Sequence, residues 1–199
     1  MVASTLKASV CAAAVTALLA SFPAAAQNST RPAATAPAGA TTDGKGSGAA
    51  AALDRSDRKF VEEAAAGGMA EVELGKLAEQ KATSDQVKQF GARMVEDHGK
   101  ANDELKELAQ SKGLSVPAAP DKSHQKDLDK LSKLSGAQFD REYMAHMLSD
   151  HRKDVSEFKK MSESAKDSDV KAFAGKTLPT LQEHLKMAQS VNDSVKSMK

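Results

Sequence analysis

The stretch Val87–Leu108, VKQFGARMVEDHGKANDELKEL, decides the fold. Its inward positions are Val87, Gly91, Met94, His98, Ala101, Leu105 and Leu108, in alternating steps of four and three that keep one side of a helix apolar. One member of that stripe, His98, is ionisable. Three further stripes carry the same interruption: Phe60, Ala64, Gly67, Glu71, Leu74, Ala78; Met144, Met147, His151, Val155, Phe158; and Val170, Ala174, Thr177, Leu181, His184, Ala188, Val191. Desolvating a carboxylate or imidazole is unfavourable unless the group is hydrogen-bonded, paired or bound to metal. The pattern therefore predicts an all-α four-helix bundle in which Glu71, His98, His151 and His184 meet inside the core.

Local chemistry sets the helix ends. Asp54 to Asp57 forms a start for the first helix, and Thr83 with Gln86 and Ser135 with Gln138 have capping-box spacing for the second and third. Asp167 or Ser168 caps the fourth, and Gly113 followed by Leu114 is a left-handed stop for the second. The predicted spans are 55–82, 84–112, 136–164 and 168–197, each ~42 Å long. Each polar residue falls near its helix midpoint, so their heights agree whichever way the helices run. Between the second and third helices, Leu114 to Leu134 contains Pro117 and Pro120 and then a short helical run with Leu128, Leu131 and Leu134. About ten extended residues plus a ~16 Å helix can span the bundle as a long crossover, as in ferritin-like folds, while an up-and-down bundle needs only short loops.

Residues 1–26 read as a secretory signal, with Lys7 the lone charge, an apolar run through Leu18, Leu19 and Ala20, and Ala24-Ala25-Ala26 before the cut. Residues 27–53, rich in Ala, Thr, Pro and Gly, read as a disordered tether, and 54–197 as the bundle. These features place the chain across the inner membrane, periplasmic or envelope-associated. The only cysteine, Cys11, lies in the signal, so thiolate metal sites and cysteine nucleophiles are excluded from the mature chain. No later segment is apolar enough for an integral membrane domain. Without Lys7 the acidic and basic side chains balance at 27 each, interleaved along the helices. That balance, without stacking aromatics, argues against nucleic acid. The protein partner is unnamed by the sequence, and self-association stays open.

One carboxylate and three imidazoles suit a borderline divalent metal, iron, manganese, zinc or copper, better than calcium or magnesium. Histidines 98 and 151 have matching surroundings, Met94-Val95-Glu96-Asp97-His98-Gly99-Lys100 and Met147-Leu148-Ser149-Asp150-His151-Arg152-Lys153. Asp97 and Asp150, about 100° round the helix from their histidines, are placed to orient an imidazole of a neighbouring helix or to sit in surface salt bridges. Met94 and Met147 lie one turn before the histidines, where thioethers favour copper or simply fill the core. His146 is a satellite on a second face, His124 an exposed residue of the connection, and Glu73 faces solvent. Charge pairs such as Glu104 with Lys106, or Lys153 with Glu157, read as the solvated outer face.

Met69-Ala70-Glu71-Val72-Glu73-Leu74, Met94-Val95-Glu96-Asp97-His98, Phe139-Asp140-Arg141-Glu142-Tyr143 and Leu178-Pro179-Thr180-Leu181-Gln182-Glu183-His184-Leu185 occur in that order. Together they resemble the exported bacterial family called domain of unknown function 4142. The resemblance implies a ferritin-like bundle with no assigned reaction. Di-iron ferritin-like proteins use Glu-x-x-His on two helices, whereas Val95, Leu148 and Leu181 stand three before the histidines here. No second carboxylate-rich site, serine triad or phosphate-binding loop is visible, so an oxygen-activating enzyme is disfavoured. Two readings remain: a metal-binding bundle in metal handling or stress defence, and a metal-free envelope stress or interaction protein whose polar cluster fixes register.

Overall fold

The structure, a computed structural model, describes residues 52–197; the predicted signal and nearly all of the tether lie outside the described residues. Five helices and no strand occur among the described residues: α1 Arg55–Lys81, α2 Asp85–Ser111, α3 Lys122–Ser132, α4 Gly136–Ser164 and α5 Ser168–Ser197. The all-α expectation holds, and none of the described helices is long and apolar enough to cross a membrane. Short turns join α1 to α2 and α4 to α5, and the helices of each pair pack along their length. The two pairs meet through α2 against α5 and α1 against α4, with α3 lying on α1 and α4.

Polar ties at the two ends fix how the pairs face each other. Asp57, fully buried in the first turn of α1, accepts from the backbone N–H of Lys166 (3.0 Å) and Asp167 (2.7 Å) in the α4–α5 turn. Lys112, at the end of α2, pairs with Asp167 (2.8 Å) and Asp169 (2.6 Å). The start of α1, the end of α2 and the α4–α5 turn therefore share one end of the bundle. At the other end, Asp140 near the start of α4 accepts from Thr83 N (3.1 Å), Thr83 Oγ1 (2.6 Å) and Ser84 N (2.9 Å) of the α1–α2 turn. Hence the segment from Lys112 to Ser135 runs from one end to the other, its extended residues and the ~16 Å of α3 together long enough to cover the ~40 Å of a 27-residue helix.

The caps agree in part with expectation. Asp54 caps α1, Asp167 Oδ1 accepts from Asp169 N and Val170 N to cap α5, and Gly113 takes φ 66° while Leu114 N returns to Ala109 O at 2.9 Å. The two predicted capping boxes do not form. Ser84 and Ser135 are the N-caps of α2 and α4 without side-chain cap bonds, and the Thr83 hydroxyl is taken up by Asp140 instead.

The core is divided in two. One apolar cluster gathers Leu74, Phe90, Met94, Phe139, Tyr143 and Met147, the other Phe60, Val61, Leu105, Met161, Val170 and Phe173. Burying each of the larger side chains stabilises the fold by about 1.5–3 kcal/mol. Along every long helix the predicted polar residue falls between its contributions to the two clusters, as Glu71 does between Ala65 and Leu74.

The α1–α2 contact is close enough to require glycine. A Cβ on Gly91 would lie 2.8 Å from both Gly75 O and Ala78 Cβ, whereas a Cβ on Gly99 in the same helix would meet nothing within 4 Å. Gly91→Ala is expected to destabilise the protein by about 1–3 kcal/mol through overpacking, despite alanine's better helix propensity. Gly99→Ala is expected to stabilise it by about 0.5–1 kcal/mol. Thermal melts followed by circular dichroism check both signs, and equal shifts would show that the helices are not in close contact at Gly91.

Candidate metal centre

Each long helix delivers one predicted polar residue to a common layer: α1 Glu71, α2 His98, α4 His151 and α5 His184, all at most 7% exposed. The three imidazoles form a near-equilateral triangle, with ring centroids 5.6 Å apart for His98 and His151, 5.2 Å for His98 and His184, and 5.3 Å for His151 and His184. Phe90 covers His151 edge-on at 6.1 Å, closing the layer toward the first apolar cluster.

The neighbours of the rings dictate their protons. His98 Nδ1 lies 2.9 Å from Glu71 Oε2, His151 Nδ1 lies 3.0 Å from the Met147 carbonyl, and His184 Nε2 lies 2.9 Å from Asp97 Oδ2. Carbonyls and ionised carboxylates only accept, so the ring nitrogen in each pair carries the hydrogen and donates it. The second nitrogen of each neutral ring is then a bare lone pair. Those nitrogens, His98 Nε2, His151 Nε2 and His184 Nδ1, are buried without a hydrogen-bond partner among the described residues. One ring nitrogen from each histidine lies within 4.8 Å of the other two. An orphaned acceptor in a core is unfavourable by about 1–3 kcal/mol, and three together fit a shared electrophile such as a metal ion.

The charges follow the same geometry. Burial, reinforced by the nearby His98 and His151, lowers His184 to about 4 against the pull of Asp97. Burial likewise lowers His151, only partly opposed by Glu71. For His98 burial also favours the neutral ring, but the charge and hydrogen bond of Glu71 outweigh it and raise the pKa. Burial pushes Glu71 up, yet His98 and His151 hold it below the usual carboxylate range. The layer thus favours one ionised carboxylate with neutral rings at His151 and His184.

Asp97 orients the imidazole of a neighbouring helix, gripping His184 while Arg93 holds the same carboxylate. Asp150 does not. It binds His146 Nε2 (2.9 Å) and Lys153 (3.1 Å) on its own helix, one turn above and one below, so its oxygens are engaged locally. Met94 and Met147 are fully buried in the first apolar cluster. Glu73 faces solvent and pairs with Lys76. His124 is half-buried rather than exposed, because α3 folds back and sets its ring over Gly67, where no side chain intervenes. Glu104 pairs with Lys176 across α2 and α5, and Lys153 with Asp150, in place of the partners expected along each helix.

Asp154 is the residue that sequence reasoning missed. One of its oxygens lies within 4.8 Å of ligand atoms of Glu71 and His151. Burial, with Glu71 and Asp150 nearby, pushes its carboxyl far above the carboxylate range. The signal was present as His151-x-x-Asp154, a three-residue step that keeps both on one face of α4. The chain therefore does hold a second, carboxylate-containing group beside the imidazoles.

The family described as "Domain of unknown function (DUF4142)" matches residues 43–191. The chain belongs to it. Two solved structures share the fold of this DUF4142 protein. A crystal structure of a DUF305 fragment from Deinococcus radiodurans has a TM-score of 0.63 at 12% identity, covering 72% of this chain and 99% of that one. CopM in its Cu(II)-bound form has a TM-score of 0.60 at 19% identity, covering 69% of this chain and 96% of that one. No curated protein matches the DUF4142 chain in sequence.

The buried His184 gives a pH test in chelator-treated protein. Its pKa falls from 6.5 to about 4 on folding, so the unfolded chain takes up the proton first as pH drops. Its contribution to stability, present above 6.5, is lost between 6.5 and about 4 and amounts to about 3 kcal/mol. The stability gap between wild type and His184→Gln, which keeps a donor for Asp97, is expected to shrink by that amount between pH 7 and pH 4 in urea unfolding. A constant gap would show that His184 titrates normally.

Proposed function

We propose that this protein is an exported metal-handling bundle that binds one divalent transition ion through His98, His151 and His184. The carrying observation is that each ring donates one N–H to a protein acceptor and keeps its other nitrogen buried without a partner, in a group whose ligand atoms lie within 4.8 Å of one another. Glu71 and Asp97 act behind the ligands: by accepting the far hydrogens of His98 and His184 they fix tautomer and ring direction and make the rings better donors. Glu71 also supplies a negative charge that compensates the cation. Imidazole donors suit copper, zinc and iron, and the usual order of stability puts Cu(II) first at such a site. The Cu(II)-bound state of the structurally similar CopM supports a copper reading. We read the role as binding and transfer. The end-to-end connection through α3 supports a ferritin-like arrangement, and residues 1–26 and 27–53 supply the export signal and tether.

Copper or zinc titration of tag-free protein, with metal content measured after dialysis, tests the reading. One ion per chain is expected, together with a rise in melting temperature on loading. His151→Leu should lower affinity at least about 100-fold, and Asp97→Asn about 10–100-fold. Equal metal content in wild type and His151→Leu would leave a metal-free envelope protein whose polar layer is structural.

A further inference from the structure

The polar layer is reached from two sides that differ in charge. A cavity of about 310 Å³ lined from all five helices or their caps reaches Glu71 and His98 at its inner end. Its walls bear the carboxyl groups of Glu63, Asp121, Asp150, Asp154 and Glu157, against Lys153 as the only lysine or arginine. A smaller cavity of about 140 Å³ between α2 and α5 reaches His98 and His184 past Lys100, Lys176 and Glu104, where both signs are mixed. Glu71 is 7% exposed, and its Oε1 is buried without a hydrogen-bond partner. Glu71, His151 and Asp154 each offer a ligand atom within 4.8 Å of the others, and His151 is also a member of the three-imidazole group.

We propose that Glu71 and Asp154 form an entry seat, where a divalent cation drawn in through the acidic cavity displaces the proton of the Asp154 carboxyl, is first held there and is then passed by way of His151 to the three imidazoles. The proposal rests on the reading that those imidazoles hold a metal. Carboxylates around a low-dielectric cleft concentrate cations and speed their capture, an effect that weakens with salt. Carboxylate oxygens are weaker ligands than imidazole for copper or zinc, so an ion held by Glu71 and Asp154 moves on to the nitrogens. His151 belongs to both groups, so the two seats adjoin and the ion has only a short path between them. The mixed charge of the α2–α5 opening gives a cation no comparable attraction.

The protein carries its own probe. Tyr143 is the sole tyrosine in a chain without tryptophan, and it is buried 6.2 Å from Phe90, which lies 6.1 Å from His151. Cu(II) bound at the imidazoles should quench its fluorescence, and stopped-flow mixing with Cu(II) then reads the uptake rate. Asp154→Asn is expected to slow uptake at least about tenfold while still reaching full quenching, and wild-type uptake should slow as salt is added. Glu157→Gln, farther out, should slow it less, and Glu104→Gln at the other opening should leave the rate as it is. Uptake by Asp154→Asn at the wild-type rate, or equal slowing by Glu104→Gln, overturns the entry seat and leaves the imidazole site standing. If wild type shows no saturable quenching, or His151→Leu is quenched like wild type, the imidazole site itself falls and the entry seat with it.

Discussion

A carboxylate and three imidazoles share one buried level of this bundle, and the hydrogen bonds that let them stay there constrain the rest. Glu71 sits between His98 and His151, and Asp97 reaches across from α2 to His184 on α5. Sliding α1, α2 or α5 by one turn, ~5.4 Å, would carry its polar residue into an apolar cluster and break a charge-assisted bond. Apolar side chains alone impose no such penalty, because one leucine layer accepts another. The polar layer therefore sets the register of α1, α2 and α5, and Asp140 ties α4 to the turn between the first two.

The ends of the bundle solve a related problem with the same chemistry. The turns between paired helices expose backbone N–H groups that a packed end hides from water. Asp57 and Asp140, each buried, take up those of Lys166 with Asp167 and of Thr83 with Ser84. Each tie joins one helical pair to the other. The two pairs are thus fixed at both ends and in the middle, while the apolar clusters between these levels supply most of the stabilisation.

How much of this was legible in the sequence depends on whether the signal is periodic or spatial. The stripes and the four interruptions are one-dimensional, and so the helix spans and the convergence of Glu71, His98, His151 and His184 could be read from spacing. Gly113 and Asp167 were legible because their roles lie within a few residues of their own positions. Asp57 and Asp140 were not, since their partners lie 110 and 57 residues away. His124 was misjudged because only the return of α3 onto α1 covers it. Of the two readings open for Asp150 the local salt bridge is the one found, because a histidine one turn away on its own helix is the nearer partner. Asp154 lay in plain view three residues beyond His151, but an aspartate at the margin of a stripe reads as solvated until the neighbouring Glu71 is in place.

The polar layer has more unsatisfied capacity than register alone requires. A cluster whose only task is to lock four helices is best served by groups that satisfy one another completely, since each orphaned buried acceptor is unfavourable by about 1–3 kcal/mol. Glu71 with His98, and Asp97 with His184, already provide the locking bonds. His151 adds little to that task, because its hydrogen goes to the carbonyl one turn back on its own helix. What His151 does add is a third buried nitrogen without a partner, in one group with the two rings already held in place, and a position beside the carboxyls of Glu71 and Asp154. A divalent ion repays the desolvation of three such lone pairs in one event, which a register device alone has no means to do.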